Sequence, residues 1–106
     1  MRLLLVNPWI ADVSAYNFWV RPLGLYALAE WAWERGTEVR LADCLAGFPA
    51  PGRFLRRPVS TPEVLEGFPR RFCRYGVEPE TFQERVRAAG TCDAVLVTSA
   101  IAYWYP

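Results

Sequence analysis

The chain contains no histidine and no lysine, and all twelve of its cationic residues are arginines. The absence of histidine removes the commonest general base and metal ligand, together with every Ser-His or Cys-His nucleophile pair. The absence of lysine removes the nucleophile that forms Schiff bases. We therefore predict that these residues catalyse no reaction on their own.

Cysteines and long apolar runs are also scarce. Cys44, Cys73 and Cys92 lie far apart, so their spacing fits neither a zinc site nor a redox pair, and we predict ordinary reduced thiols. No apolar run approaches the roughly 20 residues that span a bilayer, and the first run stops at Asn7-Pro8, too early for a signal peptide. A net charge of +1 gives no reason to expect nucleic acid or a membrane surface as a partner, and we expect a cytoplasmic protein.

Hydrophobic periodicity predicts three strands and two helices. The first and third strands are short apolar runs, typical of strands buried on both faces, whereas the second alternates and indicates a sheet edge. Each helix has a proline in its first turn and a glycine at its end. In chain order the predicted elements are a strand at 3–6, a helix at 22–35, a strand at 38–43, a helix at 79–89 and a strand at 94–97.

Strands that alternate with helices predict a parallel sheet. The buried character of the first and third strands gives the order second–first–third (2-1-3), with the helices on opposite faces. We therefore predict an α/β fold, a partial doubly wound sheet of the flavodoxin-like or Rossmann-like type with three strands. Residues 1–106 would form the N-terminal part of a domain that continues downstream. The uncovered third strand would then allow the fragment to associate with itself.

A Pro/Gly-rich insertion at about 45–78 shows little periodicity and is strongly basic. A solvated basic loop explains it, and so does a contact surface for a phosphate-bearing cofactor or a neighbouring domain. Its arginines are Arg53, Arg56, Arg57, Arg70, Arg71 and Arg74, against Glu63 and Glu66 before the next helix.

Parallel sheets bind ligands beyond the carboxyl ends of their strands, where the crossover direction reverses. Here that position lies between the first and third strands, beside the loops 7–21 and 98–106. Both loops are rich in aromatic residues, which suit a planar ligand or a protein interface, although core packing is the alternative for each residue. Asp43 follows the second strand where Rossmann domains hold a ribose. Because no Gly-x-Gly-x-x-Gly motif follows the first strand, we favour capping or a loop hydrogen bond for Asp43.

Four stretches of the chain form a pattern that is found in a known family. They are Leu3-Leu4-Leu5-Val6-Asn7-Pro8, Arg21-Pro22-Leu23-Gly24-Leu25, Glu34-Arg35-Gly36-Thr37-Glu38-Val39 with Asp43, and the ending from Val97 to Pro106. These stretches resemble the N-terminal cobalamin-binding domain of cobalamin-dependent radical SAM proteins. Together they cover about a quarter of the chain.

The resemblance implies cobalamin over the carboxyl edge of the sheet. Gly24 matches the glycine of the Asp-x-His-x-x-Gly pattern, but the histidine is absent, which implies cobalamin without a protein histidine below the cobalt. Ser99 is a near match to the serine of a Ser-x-Leu element. The cofactor-binding residues that this implies are Asn7, Pro8, Trp9, Tyr16, Trp19, Leu23, Gly24, Thr98, Ser99, Tyr103 and Trp104, with no metal ligand among them.

The function implied is a cofactor-binding module of a radical SAM iron–sulfur enzyme, such as a methyltransferase. S-adenosylmethionine and the iron–sulfur cluster would belong to a downstream domain, the partner in cis. One alternative is a domain of the same fold that binds no cobalamin and serves interaction or substrate positioning. Another is a flavin-type site in the same crevice.

Overall fold

The computed structural model describes residues 1–15, 21–46 and 53–98. Two three-stranded sheets and two helices make up the fold of these residues. The strands are β1 (Arg2–Asn7), β2 (Ile10–Asp12), β3 (Glu38–Asp43), β4 (Arg56–Pro58), β5 (Cys73–Tyr75) and β6 (Ala94–Val97); the helices are α1 (Leu23–Glu34) and α2 (Pro79–Ala89). A short 3₁₀ turn covers Glu63–Leu65.

The first sheet is parallel and has the order β3-β1-β6. Leu5 at its centre lies opposite Leu41 of β3 and Leu96 of β6. The expected count of three strands is wrong, since the described residues form six strands. Numbered over all six, the parallel sheet has the order 3-1-6 instead of 2-1-3, because strands of the other sheet intervene along the chain; the strands at 38–43, 2–7 and 94–97 are nevertheless neighbours in the expected sequence. The mixed α/β class and the parallel pairing of this sheet are as expected.

The alternation of β1 sends its side chains to two separate apolar clusters. Leu3 and Leu5 pack with Leu25 and Ala32 of α1. On the opposite face, Leu4 and Val6 pack with residues of α2, among them Ala89, Phe82 and Val86. The two helices therefore cover opposite faces of the parallel sheet.

Proline and glycine set the ends of both helices. The first helix was expected over 22–35 and runs over Leu23–Glu34, whereas α2 matches its expected bounds. Gly36 and Gly90 follow the helices with φ of +78° and +72°, a region in which glycine carries no steric cost. Neither of these helices is long and apolar enough to cross a membrane, a finding that covers the described residues.

The third predicted strand, β6, was expected inside the sheet. Within the described residues it pairs with β1 alone, so one of its edges has no strand beside it there. Val95 and Val97 are 55% and 62% exposed. Both valines share the sheet face of Leu4 and Val6, opposite which they lie in register.

The second sheet was not expected. Its order is β2-β5-β4 and both pairs are antiparallel, so strands occur in the loop 7–21 and in the insertion at 45–78. One of its faces holds a third apolar cluster that includes Ile10, Ala15 and Tyr75. Its strands have three residues each, and β4 and β5 carry three arginines between them, which explains the missing hydrophobic alternation.

A close backbone contact joins the two sheets. The Val77 N–H donates to the Cys44 carbonyl at 2.7 Å, just beyond the end of β3. Gly76, beside it, has φ of +127° and is buried. A Cβ at Gly76 would overlap the Cys44 oxygen and come within 2.8 Å of Trp9 Cδ1, so this junction requires glycine.

Candidate functional site

The carboxyl ends of β1 and β3 meet in a side-chain hydrogen bond. Asn7 is buried, and its Nδ2 donates to Asp43 Oδ1 at 2.8 Å. The same oxygen accepts the backbone N–H of Leu45 at 2.9 Å. The loop hydrogen bond expected for Asp43 is therefore confirmed.

Arg85 of α2 fixes the loop that follows β3. Its guanidinium donates to the backbone carbonyl of Asp43 and, at 3.3 Å, to that of Ala46. Because one side chain holds two carbonyls of the loop, Asp43 is positioned from the helix as well as from Asn7.

Thr98 extends the pairing of β6 with β1, since its N–H donates to the Val6 carbonyl at 3.0 Å. Thr98 and Pro8 are both half-buried. Two of the predicted cofactor residues, Asn7 and Thr98, thus lie at the carboxyl ends of neighbouring parallel strands.

Trp9 is engaged in contacts within the chain. Its indole N–H donates to the Val77 carbonyl at 2.6 Å, and its ring meets Phe82 edge-on with centroids 5.0 Å apart. The Arg74 guanidinium lies 5.7 Å from the centroid of the indole ring. Trp9 therefore helps to hold the segment between β5 and α2.

Leu23 and Gly24 lie in the first turn of α1 and are exposed. Leu23 is 73% exposed, which is unusual for a large apolar side chain. A Cβ at Gly24 would meet no atom within 4 Å, so local packing does not require glycine there. The remaining predicted cofactor residues lie outside the described residues; they are Tyr16, Trp19, Ser99, Tyr103 and Trp104.

A second candidate site, which we name the arginine cavity, lies beside the antiparallel sheet. It has a volume of about 700 Å³, within the range usual for small-molecule sites. Its lining contains no acidic residue among those that the structure describes. The lining residues are Val13, Ser14, Ala15, Arg53, Phe54, Arg56, Pro58, Arg70, Arg71, Cys73 and Tyr75.

Tyr75 is the buried polar residue of the arginine cavity. Burial raises the pKa of its phenol, and the nearby Cys73 adds to the increase, while Arg56 acts in the opposite direction. Tyr75 is therefore a neutral hydroxyl at physiological pH, able to donate a hydrogen bond into the cavity.

The cysteines are free thiols, as the sequence indicates. Burial, reinforced by the charge of Asp43, raises the pKa of the Cys44 thiol to about 11. Such a thiol is not a nucleophile at neutral pH, because the thiolate is the reactive form. Among the described residues no three Cys, Asp or Glu side chains come together in a way that could hold a metal ion.

No protein-family model matches this chain, and neither the curated proteins nor the solved structures contain a significant match.

Sequence reasoning identified the basic character of the insertion but not the cavity that its arginines line. Arg53, Arg56, Arg70 and Arg71 come together because β4 and β5 pair, and that pairing has no hydrophobic signal in the sequence. The available signal was the excess of arginine over acidic residues in 45–78.

Proposed function

We propose that the chain is a cofactor-binding α/β domain of a cobalamin-dependent radical SAM protein, with cobalamin at the carboxyl ends of β1 and β6. One observation carries the proposal. The chain leaves β1 through α1 on one face of the sheet and reaches β6 through α2 on the other. In a doubly wound sheet, which we propose for the complete domain, ligands bind where the connections diverge in this way.

The residues near this edge combine apolar surface with polar groups, which suits a large planar cofactor that carries amide side chains. Leu23 and Val97 leave apolar surface uncovered, while Asn7 and Thr98 supply polar groups at the strand ends. The chain has no histidine, so the proposed cobalamin has no histidine of this chain below its cobalt. This agrees with the resemblance of residues 3–8, 21–25 and 97–106 to the cobalamin-binding domains.

In this proposal the chain binds and orients the cofactor, and a downstream radical SAM domain with its iron–sulfur cluster completes the enzyme. Cobalamin, when bound, would supply the alkyl-transfer chemistry, since cofactors carry the reactive atoms and the protein positions them. Asn7 and Thr98 would fix the orientation of the bound molecule, and Ser99 would hydrogen-bond its nucleotide tail.

Titration of the full-length gene product with hydroxocobalamin, followed by its visible absorption, tests the proposal. We expect binding at micromolar concentrations and a spectrum of cobalamin with its own base displaced. If the folded protein shows no binding, the proposal that it binds cobalamin is refuted. If cobalamin binds tightly and neither Ser99→Ala nor Trp104→Ala weakens the binding, the protein binds cobalamin but at a site formed by other residues. The gene should also encode a downstream Cys-x-x-x-Cys-x-x-Cys motif, whose absence would remove the radical SAM assignment.

A second candidate function is an interaction or positioning module that binds no cobalamin. The surface of α1 favours it, because several large apolar side chains of this helix are exposed: Tyr26, Leu28, Trp31 and Trp33. Exposed aromatic residues are enriched where proteins contact each other. A full-length protein that carries the cluster motif but shows no response to hydroxocobalamin would support this function instead.

A further inference from the structure

The antiparallel sheet sorts the arginines of the insertion onto two sides. Successive side chains of a strand point to opposite faces, and Arg57 lies directly opposite Arg74 in the register of β4 and β5. Both of these arginines contact the carboxylate of Glu78, at 2.6 Å and 3.5 Å. The repulsion between them is therefore offset by a shared acidic partner.

The opposite face carries Asp12 of β2, in register with Cys73, but Asp12 forms no salt bridge with an arginine among the described residues. Arg56 and Pro58 of β4 and Cys73 and Tyr75 of β5 share this face and line the arginine cavity. Arg53, Arg70 and Arg71 reach the cavity from the segments that precede the two strands. None of the four cavity arginines forms a salt bridge with a carboxylate of a described residue.

Four guanidinium groups around one cavity repel each other and create a strongly positive potential. Each guanidinium presents a planar set of donors that matches two oxygens of a phosphoryl group at once. A ligand with a single phosphoryl group would leave part of this donor set unused. A ligand with two or more phosphoryl groups can engage all four arginines and offset most of their charge.

The walls of the arginine cavity add to this pattern. Phe54 and Tyr75 supply aromatic surface, and Ser14 and Tyr75 supply hydroxyl groups that can donate to phosphoryl oxygens. A site with a few polar groups in an aromatic lining is typical of small-molecule recognition.

We propose that the arginine cavity binds a small molecule that carries at least two phosphoryl groups, held by bidentate hydrogen bonds from its four arginines. The proposal does not depend on cobalamin, because the cavity lies beside the antiparallel sheet. Val13, Ser14 and Ala15 of its lining belong to the loop 7–21, but none of the individual residues named as cofactor-binding lines the cavity.

Isothermal titration of the protein with inorganic pyrophosphate tests this site. We expect saturable binding that weakens as salt is added, because charge drives it. The double variant Arg70→Gln/Arg71→Gln should bind about tenfold more weakly or worse, since each lost charge-assisted hydrogen bond weakens binding strongly. Inorganic phosphate should bind less tightly than pyrophosphate.

The matched control is Arg35→Gln/Arg87→Gln, which removes the same charge from exposed positions outside the arginine cavity. The affinity of this control variant for pyrophosphate should stay within about twofold of the affinity of the parent protein, because distant exposed charges are screened. Circular dichroism should show that all variants are folded. No saturable pyrophosphate binding, or an equal loss in the control variant, would overturn the site. Citrate that binds as tightly as pyrophosphate would overturn the assignment of phosphoryl groups.

Discussion

The side-chain amide of Asn7 donates a 2.8 Å hydrogen bond to Asp43 Oδ1 and so ties the end of the central strand β1 to the end of its neighbour β3. The two residues are also direct partners in the register of the sheet. This pair therefore fixes how the loops after the two strands leave the sheet, at the edge where the proposed cofactor lies.

Substitution of Asn7 should reveal the electrostatic part of this link. Asn7→Ala should reduce the free energy of unfolding by about 1 kcal/mol, the usual net contribution of one hydrogen bond. Asn7→Asp should cost more near neutral pH, because two ionised carboxylates would then lie side by side. The excess over Asn7→Ala should shrink between neutral and acidic pH, because protonation of one carboxyl removes the repulsion. Urea unfolding at both pH values measures this, and an excess that does not change with pH would contradict it.

Gly76→Ala should be one of the most damaging small substitutions in the chain. The new Cβ would meet the Cys44 carbonyl and Trp9, and the residue would keep a φ that favours glycine. We expect a loss of about 3 kcal/mol or more in the free energy of unfolding, from backbone strain and overpacking together.

Gly67→Ala is the control for this effect, because Gly67 has φ of +82° but no atom within 4 Å of the added Cβ. This variant should lose about 1–2 kcal/mol in the free energy of unfolding, the cost of the left-handed backbone conformation alone. Chemical denaturation of both variants gives the comparison. Equal losses at the two positions would show that the contact between the sheets does not need glycine.

The three thiols should differ in reactivity while the protein is folded. Cys44 and Cys73 are buried, and the pKa of Cys44 is raised to about 11, whereas Cys92 is partly exposed. Iodoacetamide near neutral pH should therefore label Cys92 first and Cys44 last, since only an accessible thiolate reacts. Peptide mass mapping identifies the labelled sites, and denaturation should make all three equal. Labelling of Cys44 as fast as Cys92 in folded protein would be inconsistent with the buried position of Cys44.

The exposed valines of β6 should promote self-association. An apolar edge strand offers backbone donors and acceptors to another chain, and charged residues at such an edge oppose that pairing. Sedimentation should show concentration-dependent association that Val95→Lys/Val97→Lys reduces. Val59→Lys/Val64→Lys adds the same charge at other exposed valines and should leave association unchanged. A strictly monomeric parent protein at high concentration would refute this prediction.

The sequence was most informative where hydrophobic periodicity is strong. The apolar run at Leu3 and the helix-ending glycines Gly36 and Gly90 predicted the parallel sheet and both helices with small errors at the ends. These features depend on local spacing and on burial on both faces, which leave a clear pattern.

The antiparallel sheet could not be predicted in the same way. Its strands are short, and Arg56 and Arg57 at its edge carry no alternation between apolar and polar residues. Their strand conformation depends on pairing with the distant β5, so only the fold brings the arginines of the cavity together. The aromatic loops 7–21 and 98–106 could be proposed as a site from topology, but Trp9 shows that an aromatic residue in such a loop can serve packing.

The pairing of β2 with β5 has a consequence for synthesis of the chain on the ribosome. Asp12 and Cys73 are partners although about sixty residues separate them. At a synthesis rate of roughly 5–20 residues per second, β5 is completed on the order of 3–12 seconds after β2. During this interval Ile10 stays exposed, because Cys73 and Tyr75 of the cluster that buries it in the complete fold have not yet been synthesised. The nascent chain therefore offers an early apolar segment to chaperones before the arginine cavity can exist.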